Sequence, residues 1–571
     1  MRLETIFSLL LLAVINSSLR GQTNESAPLE IHGNFDVYAQ FYIEDTVIGA
    51  PTVREKMGIN AFTNLIATKG NFTAGMRIES YMPQVLGFDA RFGNQAVGIP
   101  FRYINFLKEG LDVTAGSFYE QFGSGMILRS YEERGLGLDN AFDGLRIRYS
   151  PAKGLYLKGL IGKQRYYWQK SEGTVRGLDA EVSLNEMISA LNDSPMRAAI
   201  GGSFVSKYQP GGGSALLLPE NVAAWATRAQ INYKNIQLQA EYAYKYNDPS
   251  ADNNYIYRPG QALLLSATYS RKGFAVNLTG KTLDNMAFRS DRKAIINDLY
   301  INYLPALTRQ HTYNLAATLF PYATQPNGEI GFQTDIIYKI KKGTWLGGKY
   351  GTTIQINAAL INGHKRNYLM NGADTMSENE VQSILDRQEY VPGDEHRIGY
   401  TTSLFSIGDE IYYRDYNVEI DRKINKDLKI KTTYAYFVYN IDRIQVKTTG
   451  RLVHAHVGVI DALYKFTSKH GLRTELQHLW TEQDHGNWAF IQFEYSYSPH
   501  WFVTVLDQYN YGNKNPADRL HYPTIQIAYI QRATRISIGY GRQRAGIFCV
   551  GGVCRNVPAA NGFTLAITSS F

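Results

Sequence analysis

The sequence predicts an all-β protein, a single transmembrane antiparallel barrel of about 26 strands, or 24 if residues 295–350 add no hairpin of their own. Three observations predict it. Amphipathic segments of strand length recur along nearly the whole chain, apolar on one parity and polar or charged on the other, as alternating strand side chains require. Short joins between them alternate with long ones. The composition fits a barrel: 41 Tyr and 51 Gly suit aromatic girdles and closely spaced strands. A mean hydropathy of −0.28 excludes a helical membrane protein and leaves a β one open.

Residues 1–21 read as a secretory signal peptide, with Arg2 ahead of an apolar run from Ile6 to Ile15 that is too short to span a bilayer. Residues 22–28 are a short lead, and the barrel is expected over 29–571. The first strand, 29–42, places Leu29, Ile31, Phe35, Val37, Ala39 and Phe41 on one face and Glu30, His32, Asn34, Asp36, Tyr38 and Gln40 on the other. A strand so close to the mature N-terminus leaves no room there for the plug domain of a TonB-dependent transporter.

Hairpins follow in series. Lys69-Gly70-Asn71 and Lys108-Glu109-Gly110 are tight turns, as are Lys234-Asn235, Arg271-Lys272-Gly273, Asn425-Lys426-Asp427 and Ser498-Pro499-His500; they carry the Gly, Pro, Asn and Asp that chain reversal needs. The long joins fall between these turns, at 43–57, 82–100, 119–144, 165–175, 207–223, 247–260, 282–294, 362–409, 441–452, 512–521 and 544–562. The last strand, 563–571, alternates Phe563, Leu565 and Ile567 with Thr564, Ala566 and Thr568 and ends on Phe571. Such a strand resembles the terminal signal of Gram-negative outer-membrane barrels, which implies pairing with the first strand and recognition by barrel assembly machinery. Tyr and Trp at strand ends, such as Tyr338, Tyr434, Tyr497 and Trp501, would sit at headgroup level, with lipid and lipopolysaccharide around the barrel.

The opposite parity describes the lumen. Arg77, Glu79, Arg146, Arg148, Lys158, Asp179, Glu181, Arg228, Glu241, Lys429, Lys431, Arg473 and Glu475 should all point inward, because a charge facing lipid at mid-depth costs about 2–4 kcal/mol. That gives a wet wall of mixed sign. The join 119–143 carries Glu120, Arg129, Glu132, Glu133, Arg134, Asp139 and Asp143 among apolar residues. It fits a loop salt-bridged to the wall for stability, with an inward constriction loop carrying a transverse field as the alternative.

Cys549 and Cys554 flank Val550-Gly551-Gly552-Val553. With Gly551-Gly552 as a two-residue turn, the cysteines form a non-hydrogen-bonded cross-strand pair close enough for a disulfide, and export favours one. No nearby His or acid completes a metal site. Ser377 and Glu380 fit a capping box before a short helix in the join 362–409. Gly343 to Tyr350 nearly spells a phosphate loop but lacks its final Ser or Thr, and a strand follows where a helix should begin. His454 and His456 share one strand face without a third ligand. No metal, cofactor or catalytic constellation emerges, and interspersed charges with no basic run argue against nucleic acid despite a net charge of +8.

Residues 134–140, 325–332 and 549–571 together resemble an uncharacterised family of Bacteroidota outer-membrane proteins. The resemblance implies an outer-membrane barrel and carries no activity or site residues. The expected function is a porin-like channel for passive passage of small polar solutes. The alternative is an accessory barrel with an occluded lumen in a secretion or assembly complex.

Overall fold

A computed structural model describes residues 27–211, 218–370, 374–375, 399–450, 452–550 and 553–571. The expected signal peptide, the expected helix near Ser377 and the Gly551-Gly552 turn lie outside them.

Twenty-four antiparallel strands close on themselves. The first six are β1 (Glu30–Tyr42), β2 (Met57–Lys69), β3 (Phe72–Tyr81), β4 (Val97–Lys108), β5 (Leu111–Phe118) and β6 (Phe142–Ala152). Next come β7 (Leu155–Tyr166), β8 (Gln169–Ser183), β9 (Met196–Tyr208), β10 (Asn221–Tyr233), β11 (Ile236–Lys245) and β12 (Gly260–Arg271). The third group is β13 (Phe274–Asp284), β14 (Gly328–Ile340), β15 (Thr352–Asn362), β16 (Ile411–Lys423), β17 (Leu428–Asn440) and β18 (Leu452–Lys465). The last six are β19 (His470–Trp480), β20 (Trp488–Tyr497), β21 (Trp501–Tyr509), β22 (Thr524–Gln531), β23 (Thr534–Gln543) and β24 (Ala560–Ser570). Each strand pairs with its neighbours in sequence. β24 also pairs with β1 from Asn34↔Ser570 to Tyr42↔Gly562, and Gly33 and Phe571 exchange backbone hydrogen bonds of 2.9 Å beyond that ladder. Closure leaves no sheet edge unpaired.

Among the described residues the strand number is 24, not 26, because 285–327 forms no hairpin in the wall. A second difference lies at 165–175, expected to be a long join. β7 and β8 instead continue through it and are joined by Tyr167 and Trp168 alone. Tyr167 takes a left-handed conformation (φ 55°), and the Trp168 indole N–H donates to the Phe92 carbonyl at 2.7 Å. The side chains anchor a turn that has no Gly or Pro to announce it.

Outward positions are apolar and exposed, among them Ile31, Phe41, Ile147, Leu178, Leu265, Phe332, Ile460, Val505, Ile538 and Phe563. An exposed apolar band around a closed barrel is stable only against hydrocarbon. Tyr338, Tyr497 and Trp501 stand on the same face at strand ends, whereas Tyr434, expected there, lies at the middle of β17. No described helix is long and apolar enough to cross a membrane.

The core sits inside the barrel. Parity sorts the strands as expected over most of the wall but reverses in the halves of β17 to β20 next to the long joins. Ala435, Phe437, Val453, Ala455, Val457, Leu479, Trp488 and Phe490 are buried inward, while His454 and Trp480 are exposed outward. A uniformly wet lumen is therefore not what the chain builds.

Candidate functional site

Segment 285–327, between β13 and β14, fills much of the lumen. Asn285 turns the chain inward at φ 50° and donates to the Arg258 carbonyl at 2.6 Å. The first half of the segment packs Met286, Phe288 and Ile301 against Phe122, Phe142, Leu160, Val175, Val205 and Ala243 of the facing wall and loop. The second half forms the helical turn Asn314–Leu319 and packs Leu315, Leu319, Phe320 and Tyr322 against β15 and β16 and the reversed faces of β17 to β20. Apolar residues line the wall because this segment, not water, lies against them.

Buried charges fix the segment in place. Lys207 is paired with Asp248 at 2.8 Å and donates to the Arg289 carbonyl at 2.8 Å, and Lys245 donates to the Ala287 carbonyl at 2.5 Å. Lys281 pairs with Glu329 at 2.7 Å, and the Tyr322 hydroxyl donates to the same carboxylate. Arg289 reaches Asp252 at 2.6 Å, His311 lies 2.7 Å from Asp415, and Arg309 pairs with Glu419 at 3.0 Å. Breaking one such buried pair costs about 3–5 kcal/mol, since the surviving charge has no water to turn to.

The 119–143 join folds inward and is bound to the wall. Glu120 meets Arg148 at 2.7 Å and Lys158 at 3.3 Å, and Glu132 meets Arg77 at 2.9 Å and Arg134 at 2.8 Å. Asp139 pairs with Arg77 and, at 2.6 Å, with Arg165, while Asp143 pairs with Lys170 at 2.5 Å. Glu133 accepts from the Gly135 N–H at 3.2 Å, and Arg134 also lies 3.5 Å from Asp36. Arg129 stacks over Tyr131 at 4.8 Å and over Tyr303 of the lumenal segment at 4.1 Å, tying loop and segment together. Gly123 (φ 51°) rests on Glu241, where a Cβ would come within 2.6 Å of the carboxylate, and the Ser124 N–H donates to Glu241 at 2.8 Å. Burial raises the Asp139 carboxyl, but Arg165 and Arg77 outweigh it and hold the group below the usual carboxylate range.

The inward residues read from the sequence divide into three sets. Arg77 and Glu79 are buried in one cluster with Arg165 and Asp139. Arg148, Lys158 and Glu241 hold the 119–143 join. The others stand in wall pairs: Arg146 with Asp112 at 3.1 Å, Arg228 with Asp179 at 2.7 Å and Glu181 at 2.9 Å, Lys429 with Asp421 at 2.7 Å, Lys431 with Glu419 at 3.2 Å, and Arg473 with Asp461 at 3.0 Å and Glu475 at 2.5 Å. Sequence reasoning missed Lys207, Lys245, Lys281, Arg289 and Glu329, which hold the lumenal segment, and Arg165, which binds Glu79 of the wall and Asp139 of the 119–143 join. Their signal was the apolar content of 286–322 without strand alternation.

Unfilled space remains beside the segment and under the loop. A gap of about 600 Å³ separates Asn314 and Thr318 from the wall at Gln40, Asn60, Gln508 and Thr524. A second cavity of about 550 Å³ lies along β1 to β6, lined by Asn34, Asn64, Asn105 and Thr114, and both spaces border Arg134. A third, of about 1110 Å³, lies under the 119–143 join between Arg148, Lys158, Asp179 and Arg228. Over the first gap lies the hairpin Gly546–Val550 with Val553–Val557, where Cys549 and Cys554 pair across the ladder with Cα atoms 4.1 Å apart and are disulfide-bonded. Asn297 of the lumenal segment donates to the Cys554 carbonyl at 2.5 Å. His454 and His456 face outward, 2.8 Å from the hydroxyls of Tyr436 and Tyr434 respectively. No group of three or more metal-ligating side chains occurs among the described residues.

The chain belongs to a family of unknown function, DUF6029, whose model matches residues 1–571. No curated protein matches it. It is similar to the P pilus usher PapC translocation pore, with 8% identity, TM-score 0.44, and 95% of this chain and 98% of that one covered. It is also similar to a ferric enterobactin receptor (PfeA) mutant from Pseudomonas aeruginosa, with 11% identity, TM-score 0.42, and coverage of 96% and 81%. For Acinetobacter baumannii OccAB4 the values are 10%, 0.33, 86% and 100%.

Proposed function

We propose that this DUF6029 member is a bacterial outer-membrane channel of narrow bore, passing small polar solutes without energy input along one side of a plugged lumen. The observation that carries the reading is the gap of about 600 Å³ between the lumenal segment and the wall of β1, β2, β21 and β22, which borders Arg134 as does the cavity along β1 to β6. Gln40, Asn60, Asn314, Thr318, Gln508 and Thr524 place amide and hydroxyl groups among its apolar lining, and these exchange hydrogen bonds with a solute as water does. The closed barrel, its apolar outer band and the signal-like N-terminus support the outer membrane as its location, and the resemblance in 134–140, 325–332 and 549–571 supports a Bacteroidota source.

Purified protein in planar bilayers should give small steps that grow with salt concentration. A membrane that stays silent would overturn the channel. It would favour the second reading, a sealed barrel acting as a structural subunit, which the buried pairs of Lys207, Lys281 and Arg289 support. Heat-modifiable migration on a gel checks the barrel independently of either.

A further inference from the structure

We infer that the gap beside the lumenal segment is an anion-selective constriction, suited to small carboxylates and oxyanions such as phosphate. The inference rests on the channel reading above. Four guanidinium groups border the gap, those of Arg134, Arg542, Arg544 and Arg555, against the one carboxylate of Asp36. Two of the four are neutralised. Arg542 pairs with Asp45 at 2.7 Å, and Arg134 is shared between Glu132 at 2.8 Å and Asp36 at 3.5 Å.

Arg544 and Arg555 differ from these. Neither forms an ion pair with a carboxylate among the described residues. Arg544 donates to the Thr318 hydroxyl at 2.8 Å and lies over the Trp488 ring at 5.1 Å, and Asp484 acts on it only through space. Arg555 donates from Nε to the Gly135 carbonyl at 2.8 Å and lies over the Phe88 ring at 4.5 Å. Its Nη1 is enclosed against Gly87 without an acceptor, so its charge acts on the gap through space. Both cations belong to the stretch that carries the disulfide-bonded hairpin, so their positions are set by that hairpin and by the Thr318, Trp488 and Phe88 contacts. Two uncompensated positive charges beside low-dielectric walls concentrate anions and exclude cations over about a Debye length.

The test is the reversal potential of wild-type channels under a potassium chloride gradient, followed by inorganic phosphate added to one side. Chloride should permeate over potassium by about threefold or more, a preference of the size that fixed pore charges produce, and phosphate should reduce the chloride current. R544Q/R555Q should bring the ratio toward one and abolish the phosphate effect. R544K/R555K should keep the chloride preference, which separates charge from a packing defect. Potassium preference, or a ratio unchanged in R544Q/R555Q, would overturn the anion site and leave the channel standing. Absence of any conductance would overturn both.

Discussion

Lys281 and Glu329 form the most enclosed ion pair that touches the lumenal segment, 2.7 Å apart and 1% and 0% exposed. E329Q leaves the ammonium without a counter-charge in a dry site and should cost about 3–5 kcal/mol of segment docking. Hydrogen exchange over 285–327 should show the loss as faster exchange there, with the strand ladders unchanged. Adding K281M should restore much of the protection, because the double variant leaves no buried charge without a counter-charge. Unchanged exchange in E329Q would mean that the pair does not hold the segment. Asp139 acts through its charge. Its carboxyl lies below the ordinary range in the folded protein, so its contribution to loop docking is complete above the unfolded value of about 3.9 and is lost as pH falls through the lower folded value. A nitroxide on Glu133→Cys should stay immobile from neutral pH down to about pH 4 and loosen only below it. D139N should loosen the label already at neutral pH.

At the scale of the element, β18 shows what alternation can and cannot reveal. Val453, Ala455, Val457 and Val459 alternate with His454, His456 and Gly458, and in an ordinary barrel the apolar set would face lipid. Here it faces the Tyr313 to Tyr322 stretch, so alternation located the strand while the partner decided which face is inside. The hairpin series, the long joins and the charged wall could be read from residues such as Arg228 and Glu241 because membrane and water sort them locally. Segment 285–327 could not: its apolar residues lack a period of two, and part of what buries them comes from strands more than 100 residues away in the chain, such as β7 and β19. The Tyr167-Trp168 turn was hidden for the same reason, being anchored by Phe92. Gly173 marks where β8 receives the segment, since a Cβ there would lie 1.9 Å from the Ser290 carbonyl oxygen. G173V should displace the segment from that wall and increase conductance and current noise. An unaltered trace would place the conducting path away from that contact.

Over the whole molecule, a closed ring of 24 strands encloses more space than its own inward side chains can fill, and the chain fills part of it from within. One side is packed by the segment and the 119–143 loop, and the other keeps a gap of about 600 Å³ bounded by the segment and the wall. The wall does not depend on the segment for closure, since β13 and β14 pair directly from Phe274↔Tyr338 to Asp284↔Gly328. Replacing 286–326 by a short Gly-Ser turn should therefore leave the barrel intact and its heat-modifiable migration unchanged. The most direct measurement is single-channel conductance of that variant beside the wild type in the same salt. The account predicts small wild-type steps and steps several-fold larger in the variant; equal conductance in two correctly folded proteins would contradict it.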